Sequence, residues 1–274
     1  MISWSGLTQT FEYSSGDVAS PLGYRLCSTR LGRARATIRA GIIESVSSRR
    51  GTFITFEGLD GCGKSTQLER LAVVLRSRGL EVVATREPGG TATGERIRQL
   101  LLDVRTAGLD PHAELALMFA SRAQHLREVI LPALAAGQVV LCDRFTDSSE
   151  AYQGGGRKLG SAAVLDLHRI LCGGVQPDLT ILMDSDVGSS VERARRRNRE
   201  RAADVADESR FESENRAFFT RVHTTYLEIA KRESQRVLVV DARGTPEKTH
   251  AKIVDLVLAR MSFHGETRRT RNAG

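Results

Sequence analysis

The chain has 274 residues, 41% hydrophobic and 27% charged, an ordinary globular composition with room for one or two cored domains. No run approaches 18 apolar residues, and the first ten residues carry neither a basic residue nor a long apolar core, so neither a membrane span nor a secretory signal is predicted. Of the net charge of +7, residues 1–50 hold +4 (seven Arg, three acids) and residues 262–274 hold +2 (three Arg, one acid), which leaves +1 on residues 51–261 and excludes a basic body that wraps nucleic acid.

Residues 1–50 are rich in Ser, Gly and Arg and hold the only Trp, Trp4. A short helix is expected over residues 34–46. No strand-and-helix alternation appears, so the segment reads as a disordered N-terminal extension. A transit peptide and a docking segment are the alternatives. From Gly51 the character changes. Apolar runs at residues 53–56, 82–85, 139–142, 179–183 and 237–240 each stop at a polar or Gly-rich turn, as strands buried on both faces do. Helices are expected between them at 64–78, 113–136, 187–199, 208–233 and 246–261. The first carries Leu68, Leu71 and Leu75 on one side and stops at Gly79. The alternation predicts an α/β fold, a parallel sheet with helices on both faces and a ligand at the C-terminal edge of the strands. The domain is expected over residues 51–261, with a basic tail at 262–274. Cysteines at 27, 62, 142 and 172 match no zinc or redox spacing, so a reducing cytoplasm is the simplest compartment.

Residues 58–65, Gly-Leu-Asp-Gly-Cys-Gly-Lys-Ser, match the phosphate-binding loop G-x-x-x-x-G-K-[ST] between a predicted strand and a predicted helix. Gly58, Leu59, Asp60, Gly61, Cys62, Gly63, Lys64, Ser65 and Thr66 are therefore candidate nucleotide-binding residues. Glycines let the backbone N–H groups converge on a polyphosphate, and the helix N-terminus adds partial positive charge. Lys64 is expected to reach the β- and γ-phosphates and Ser65 to ligate Mg²⁺. The guanine signature Asn-Lys-x-Asp of GTPases is absent, since no Asn-Lys pair occurs. Arg86 and Arg144 follow predicted strand ends, Arg122 lies on a predicted helix, and more arginines lie between 193 and 210. One triphosphate needs fewer. A second phosphate-bearing substrate accounts for the surplus, because guanidinium groups grip phosphate bidentately.

From about residue 52 to 261 the chain resembles bacterial thymidylate (dTMP) kinases. The loop with its preceding Phe56-Glu57 carries the resemblance. So do Arg86-Glu87-Pro88-Gly89-Gly90, Ser121-Arg122-Ala123-Gln124, Asp143-Arg144-Phe145, residues 148–157 (SSEAYQGGGR), Pro177-Asp178-Leu179, Arg210-Phe211-Glu212 and Tyr226-Leu227-Glu228. The resemblance implies a P-loop NTPase fold of five parallel strands with a mobile lid at about 193–211. It also implies the reaction ATP + dTMP → ADP + dTDP with Mg²⁺, and a homodimer in the cytoplasm without nucleic-acid or membrane partners. Carried over by position, Asp60 contacts the dTMP sugar, Arg86 and Arg144 hold its phosphate, and Arg122 faces the thymine edge. Ser148, Ser149 and Gln153 stand by as polar base contacts, and Asp143 organises Mg²⁺ water.

A phosphate monoester is ionised near neutral pH, so its attack on ATP needs no strong base. The difficulty is bringing two polyanions together, which calls for Arg, Lys and Mg²⁺. Related kinases of dUMP or UMP/CMP and a non-catalytic nucleotide-binding protein remain alternatives. The chain departs from the family at three places. Met118 stands where an aromatic commonly stacks on thymine, with Phe119 beside it. Residues 200–208 lengthen the lid. Gly61 stands where some members carry a basic residue, which leaves Arg193, Arg195 and Arg197 to supply the cation. Residues 193 and 197 share a helix face, and both are candidate catalytic arginines.

Overall fold

The structure is a computed structural model that describes residues 50–201, 210, 211 and 213–271, the side chains of 201 and 262–271 excepted. The expected extension before Arg50, its predicted helix over 34–46, and residues 272–274 lie outside the described residues.

In chain order the elements are β1 (Phe53–Glu57), α1 (Lys64–Ser77), β2 (Val82–Arg86), α2 (Ala92–Leu102), α3 (Pro111–His125), α4 (Leu131–Ala135), β3 (Val139–Asp143) and α5 (Thr146–Ser149). Then follow α6 (Ser161–Cys172), β4 (Leu179–Asp184), α7 (Val187–Arg201), α8 (Arg216–Arg232), β5 (Val237–Asp241) and α9 (Pro246–Arg271). The five strands form one parallel sheet in the order β2-β3-β1-β4-β5. The predicted strands are all present, each one residue longer at its C-terminal end. That residue is Glu57, Arg86, Asp143, Asp184 or Asp241, so the ligand edge carries a row of charge.

Every residue of β1 is buried. Alternation along it splits the core. Ile54 and Phe56 pack with Leu68, Leu71 and Leu75 of α1 and Ile253 and Val257 of α9. Phe53 packs on the other face with Leu115 and Phe119 of α3 and Val164 of α6. Each such side chain contributes about 1.5–3 kcal/mol relative to its exposed state. Asp178 ties the start of the sheet together. Its Oδ2 accepts from the Phe53 N–H at 2.8 Å, and its Oδ1 takes the Arg50 guanidinium at 2.9 Å.

The helices depart from expectation at several points. The segment predicted over 113–136 begins at Pro111, where Asp110 accepts from the N–H groups of His112 and Ala113. A π-helical turn at Leu126–Ile130 then joins it to α4. The helices α2, α5 and α6 were not expected. Helix α8 begins at Arg216 under an Asn215 cap instead of at residue 208. Residues 202–209, the centre of the lengthened lid, lie outside the described residues. The last, α9, continues past 261 through what was expected to be a separate tail.

Candidate active site

The loop between β1 and α1 places the start of α1 at the ligand edge. Gly63 stands before the helix at φ 97°, a left-handed turn open to glycine, and Lys64 is the first helical residue. Gly61 is required twice. Its φ is 78°, and a Cβ there would come within 2.2 Å of the Ser190 carbonyl oxygen of α7. The base of the expected lid therefore rests directly on the loop. Arg193 reinforces that contact, its Nε donating to the Gly61 carbonyl at 2.8 Å and its Nη2 to Ser190 at 3.1 Å.

A cavity of about 410 Å³ opens beside the loop. Asp60, Gly61, Gly63, Lys64, Ser65 and Thr66 line it. Gly58, Leu59 and Cys62 do not. Leu59 and Cys62 are buried in the core, and burial pushes the Cys62 thiol up from its ordinary pKa. Lys64 corrects a simple expectation. Its Nζ lies on the loop itself, donating to the carbonyls of Gly58 at 3.1 Å and Leu59 at 2.8 Å, and must release both to meet a phosphate. Ser65 Oγ donates to Asp143 Oδ2 at 2.6 Å across the β1–β3 edge. Asp143 Oδ1 is buried with no hydrogen-bond partner.

Arg144 follows β3 at φ 75°, a conformation that costs a non-glycine residue about 1–3 kcal/mol and persists only where its surroundings hold it. They do so here. The Arg144 N–H bonds to the Phe56 carbonyl at 3.0 Å. Its Nη2 donates to Asp60 Oδ1 at 2.6 Å and to Tyr152 at 3.2 Å, and its Nη1 to Ser148 at 2.8 Å and Tyr226 at 3.1 Å. Burial alone would raise the Asp60 carboxyl. Arg144, Lys64 and the Tyr152 hydroxyl outweigh it and hold that carboxyl well below the usual range.

Beneath this cluster Glu57 accepts from the Phe145 N–H at 2.7 Å, from Ser148 at 2.5 Å and from Tyr226 at 3.1 Å. Burial, with Asp147 nearby, raises it to about 7. Ser148, expected near the base, lines the cavity as Ser149 does, with its hydroxyl bonded to Glu57, Arg144 and Tyr226.

Arg122 reaches the cavity from α3. Its Nε pairs with Glu87 at 2.7 Å, and its Nη2 donates to the Phe145 carbonyl at 3.1 Å and to Ser149 at 3.0 Å. Its Nη1 is buried without a partner. His125 holds Glu87 from the other side at 2.9 Å, and Thr85 holds His125 at 2.7 Å. Met118 lines the cavity one turn before Arg122, whereas Phe119 is fully buried with the Arg122 guanidinium 4.7 Å over its ring. Phe119 is corrected from candidate base contact to support beneath Arg122. Gln153 lines the cavity, its Nε2 donating to Glu114 at 2.8 Å and its Oε1 unpartnered.

Arg86 lines the cavity and pairs with Glu95 at 2.9 Å. Arg197 and Asn198 of α7 line it; Arg193, turned to the loop backbone, does not. The expected pointing of Arg193 and Arg197 together is thus corrected to one residue at the cavity and one at the loop. Arg210, expected in the mobile lid, is buried, donating to the Leu101 carbonyl at 2.6 Å and to Glu114 at 2.7 Å. Tyr152, Phe211 and Leu102 line the cavity without having been singled out. The first two stand inside the quoted motifs, which was the available signal. No histidine lines it among the described residues.

The cavity is thus lined by a phosphate loop, an ammonium and two adjacent hard oxygen donors, and with them by five guanidinium groups (Arg86, Arg98, Arg122, Arg144 and Arg197), a thioether and an amide. Two anionic substrates fit that lining, and proton abstraction by imidazole does not.

A family model described as thymidylate kinase matches residues 56–253. A thymidylate kinase of Desulfovibrio desulfuricans is 53% identical over 195 residues, covering 71% of this chain and 89% of that protein. One of Pseudomonas syringae is 51% identical over 207 residues, covering 76% and 95%. A crystal structure of thymidylate kinase from Ehrlichia chaffeensis is similar with a TM-score of 0.61 and 31% identity, over 76% of this chain and 99% of that one.

Proposed function

The chain belongs to the thymidylate kinase family, with its P-loop NTPase fold and its transfer of phosphate from ATP to dTMP, and from that premise we propose how its own residues divide the work. The observation that carries the proposal is that Lys64, Ser65 and Asp143 line one cavity together with Arg86, Arg122 and Arg144.

ATP lies with its phosphates on the loop, where N–H groups and Lys64 meet them. Ser65 and Asp143 are the residues that would hold Mg²⁺. They fit it, being hard oxygen donors in contact, with Asp143 Oδ1 buried and unpartnered. When bound, the ion neutralises charge on the phosphates. Arg86 and Arg144 hold the dTMP phosphate, and Asp60 fixes Arg144 while facing the sugar. The base stands against Met118, Arg122 and Gln153. Arg197 brings the cation that Gly61 cannot supply and helps close the cavity to water. The acceptor phosphate oxygen attacks without a base, since positioning and charge supply the catalysis.

We place the enzyme in the cytoplasm as a homodimer, with no nucleic-acid or membrane partner. Among the described residues no helix is long and apolar enough to cross a membrane. Leu165, Ile170 and Leu171 expose apolar surface on α6 that a dimer could cover, and sedimentation as a monomer at assay concentrations would discard that assembly. The reading as a whole is tested by ADP release with ATP and Mg²⁺ across the nucleoside monophosphates. A strong preference for dTMP over dCMP and dGMP is expected. Equal rates on all of them would sink the dTMP assignment.

A further inference from the structure

We propose that Glu114 sets which bases the enzyme accepts, by holding the Gln153 amide in one orientation. The proposal rests on the placement of the base described above. Glu114 lies in the first turn of α3, its side chain wholly buried. Two guanidinium groups meet its carboxylate, Arg210 at 2.7 Å and Arg157 at 3.1 Å. So placed, the carboxylate accepts hydrogen bonds and gives none. Gln153 presents its Nε2 to Glu114 at 2.8 Å, as it must, and its Oε1 points elsewhere. That Oε1 is buried without a partner in a residue that lines the cavity. A buried amide oxygen left unpaired costs about 1–3 kcal/mol, which a ligand N–H would return.

The same helix supplies the opposite sign. Glu114, Met118 and Arg122 follow one another at four-residue spacing and so share one face of α3. The buried Arg122 Nη1 is a donor without a partner. Two residues that line the cavity, Arg122 and Gln153, therefore hold one buried donor and one buried acceptor without partners. Thymine offers a carbonyl oxygen beside a ring N–H, which satisfies both. Cytosine offers an amino group beside a bare ring nitrogen, which sets donor against donor and acceptor against acceptor. A site built to hydrogen-bond one edge rejects the reversed edge strongly, because its own buried groups stay unpaired. The discrimination depends on the Gln153 amide not turning over, and an amide turns easily unless its neighbour tolerates only one end. Glu114 is that neighbour. It touches no substrate and acts as a positioning residue.

The test is a double-mutant cycle read as selectivity, the ratio of kcat/KM for dTMP to that for dCMP. Glu114→Gln offers both a donor and an acceptor, so it frees the Gln153 amide. It is expected to lower the ratio roughly tenfold or more. In a Gln153→Met background the same change is expected to move the ratio no further, since Glu114 acts through Gln153. Selectivity kept in folded Glu114→Gln overturns the proposal, and so does an equal loss in both backgrounds, which would mean a merely structural anchor for the two arginines. If Glu114→Gln does not fold, Glu114→Gln with Arg157→Met removes one of the two stranded cations, and the same comparisons decide. A parent enzyme that does not prefer dTMP would instead refute the placement of the base and leave the Glu114 contacts as they are.

Discussion

Arg144 holds a left-handed conformation, and the residue that pins its turn from below is Glu57, through Ser148, Tyr226 and the Phe145 N–H. Burial raises that carboxyl to about 7, above its unfolded value of 4.5. The folded protein thus holds a proton there that the unfolded chain gives up. The stability this contributes is complete below pH 4.5 and is lost as the pH rises through 7. His168 and His250 are held below their ordinary pKa, chiefly by burial, and slope the other way. Comparison with Glu57→Gln isolates the carboxyl. Between pH 5 and 8 the Tm of the parent is expected to fall relative to that of the variant. Parallel Tm curves would show that Glu57 stays ionised. Lys64 stands beside this cluster, holding two loop carbonyls that it must leave. Lys64→Ala is expected to lower kcat about a hundredfold or more, by loss of charge at the transferring phosphoryl group. Steady-state ADP release measures it, and a tenfold loss or less would show that the ammonium stays on the loop.

Helix α7 stands over the phosphate loop, and its Arg193 and Arg197 are expected to fail differently. Arg197 lines the cavity, whereas Arg193 braces the Gly61 carbonyl. Arg197→Ala is expected to cut kcat about a hundredfold with little change in ATP affinity, since its contact strengthens in the transition state. Arg193→Ala is expected to weaken ATP binding more than it slows turnover, because it loosens the loop before any chemistry. Separate measurement of kcat and ATP Kd decides, and identical profiles for the two variants would refute the division. What the sequence revealed at this scale followed locality. Five strands and the phosphate loop were legible because a short apolar run, or eight consecutive residues, carries the signal. Of the three helices missed, the four-residue α5 is too short for a periodic pattern, and α2 and α6 lack a stripe. Buried positions in α2 are only Gly94 and Leu101, and in α6 they are Val164, His168 and Cys172, the middle one polar. The Glu57–Tyr226 contact joins residues 169 apart, and nothing local in either motif announces it. Met118 could have been preferred to Phe119 on spacing alone, as the residue one turn from Arg122.

At the scale of the whole molecule, the cavity and every element that supports it lie between β1 and β5 with their flanking helices. Arg50, at the start of the described residues, belongs to that body through Asp178. A chain that starts at Arg50 is accordingly expected to keep full kcat and the parent Tm. A large fall in either would show that residues 1–49 dock on the kinase domain. The near-neutral charge of residues 51–261 suits this partition, since the arginines of the site are largely matched by Asp60, Glu87 and Glu95 within it.

The place of β1 in the sheet has a consequence for how the protein is made. This strand is the first of the five to leave the ribosome, yet it sits third across the sheet, between β3 and β4. Phe53 pairs with Val140, and Ile54 with Leu179. At about 5–20 residues per second, translation takes on the order of ten seconds to go from Glu57 to Asp184. For much of that interval the phosphate loop exists as sequence without the neighbours that shape it, and β1, buried along its whole length in the sheet, waits for β3 until Asp143 and for β4 until Asp184. Slow, non-local pairing of this kind leaves such strands open to association with other nascent chains. The segment that defines the catalyst is thus synthesised first and protected late, and its aggregation risk is set by the time β4 takes to arrive.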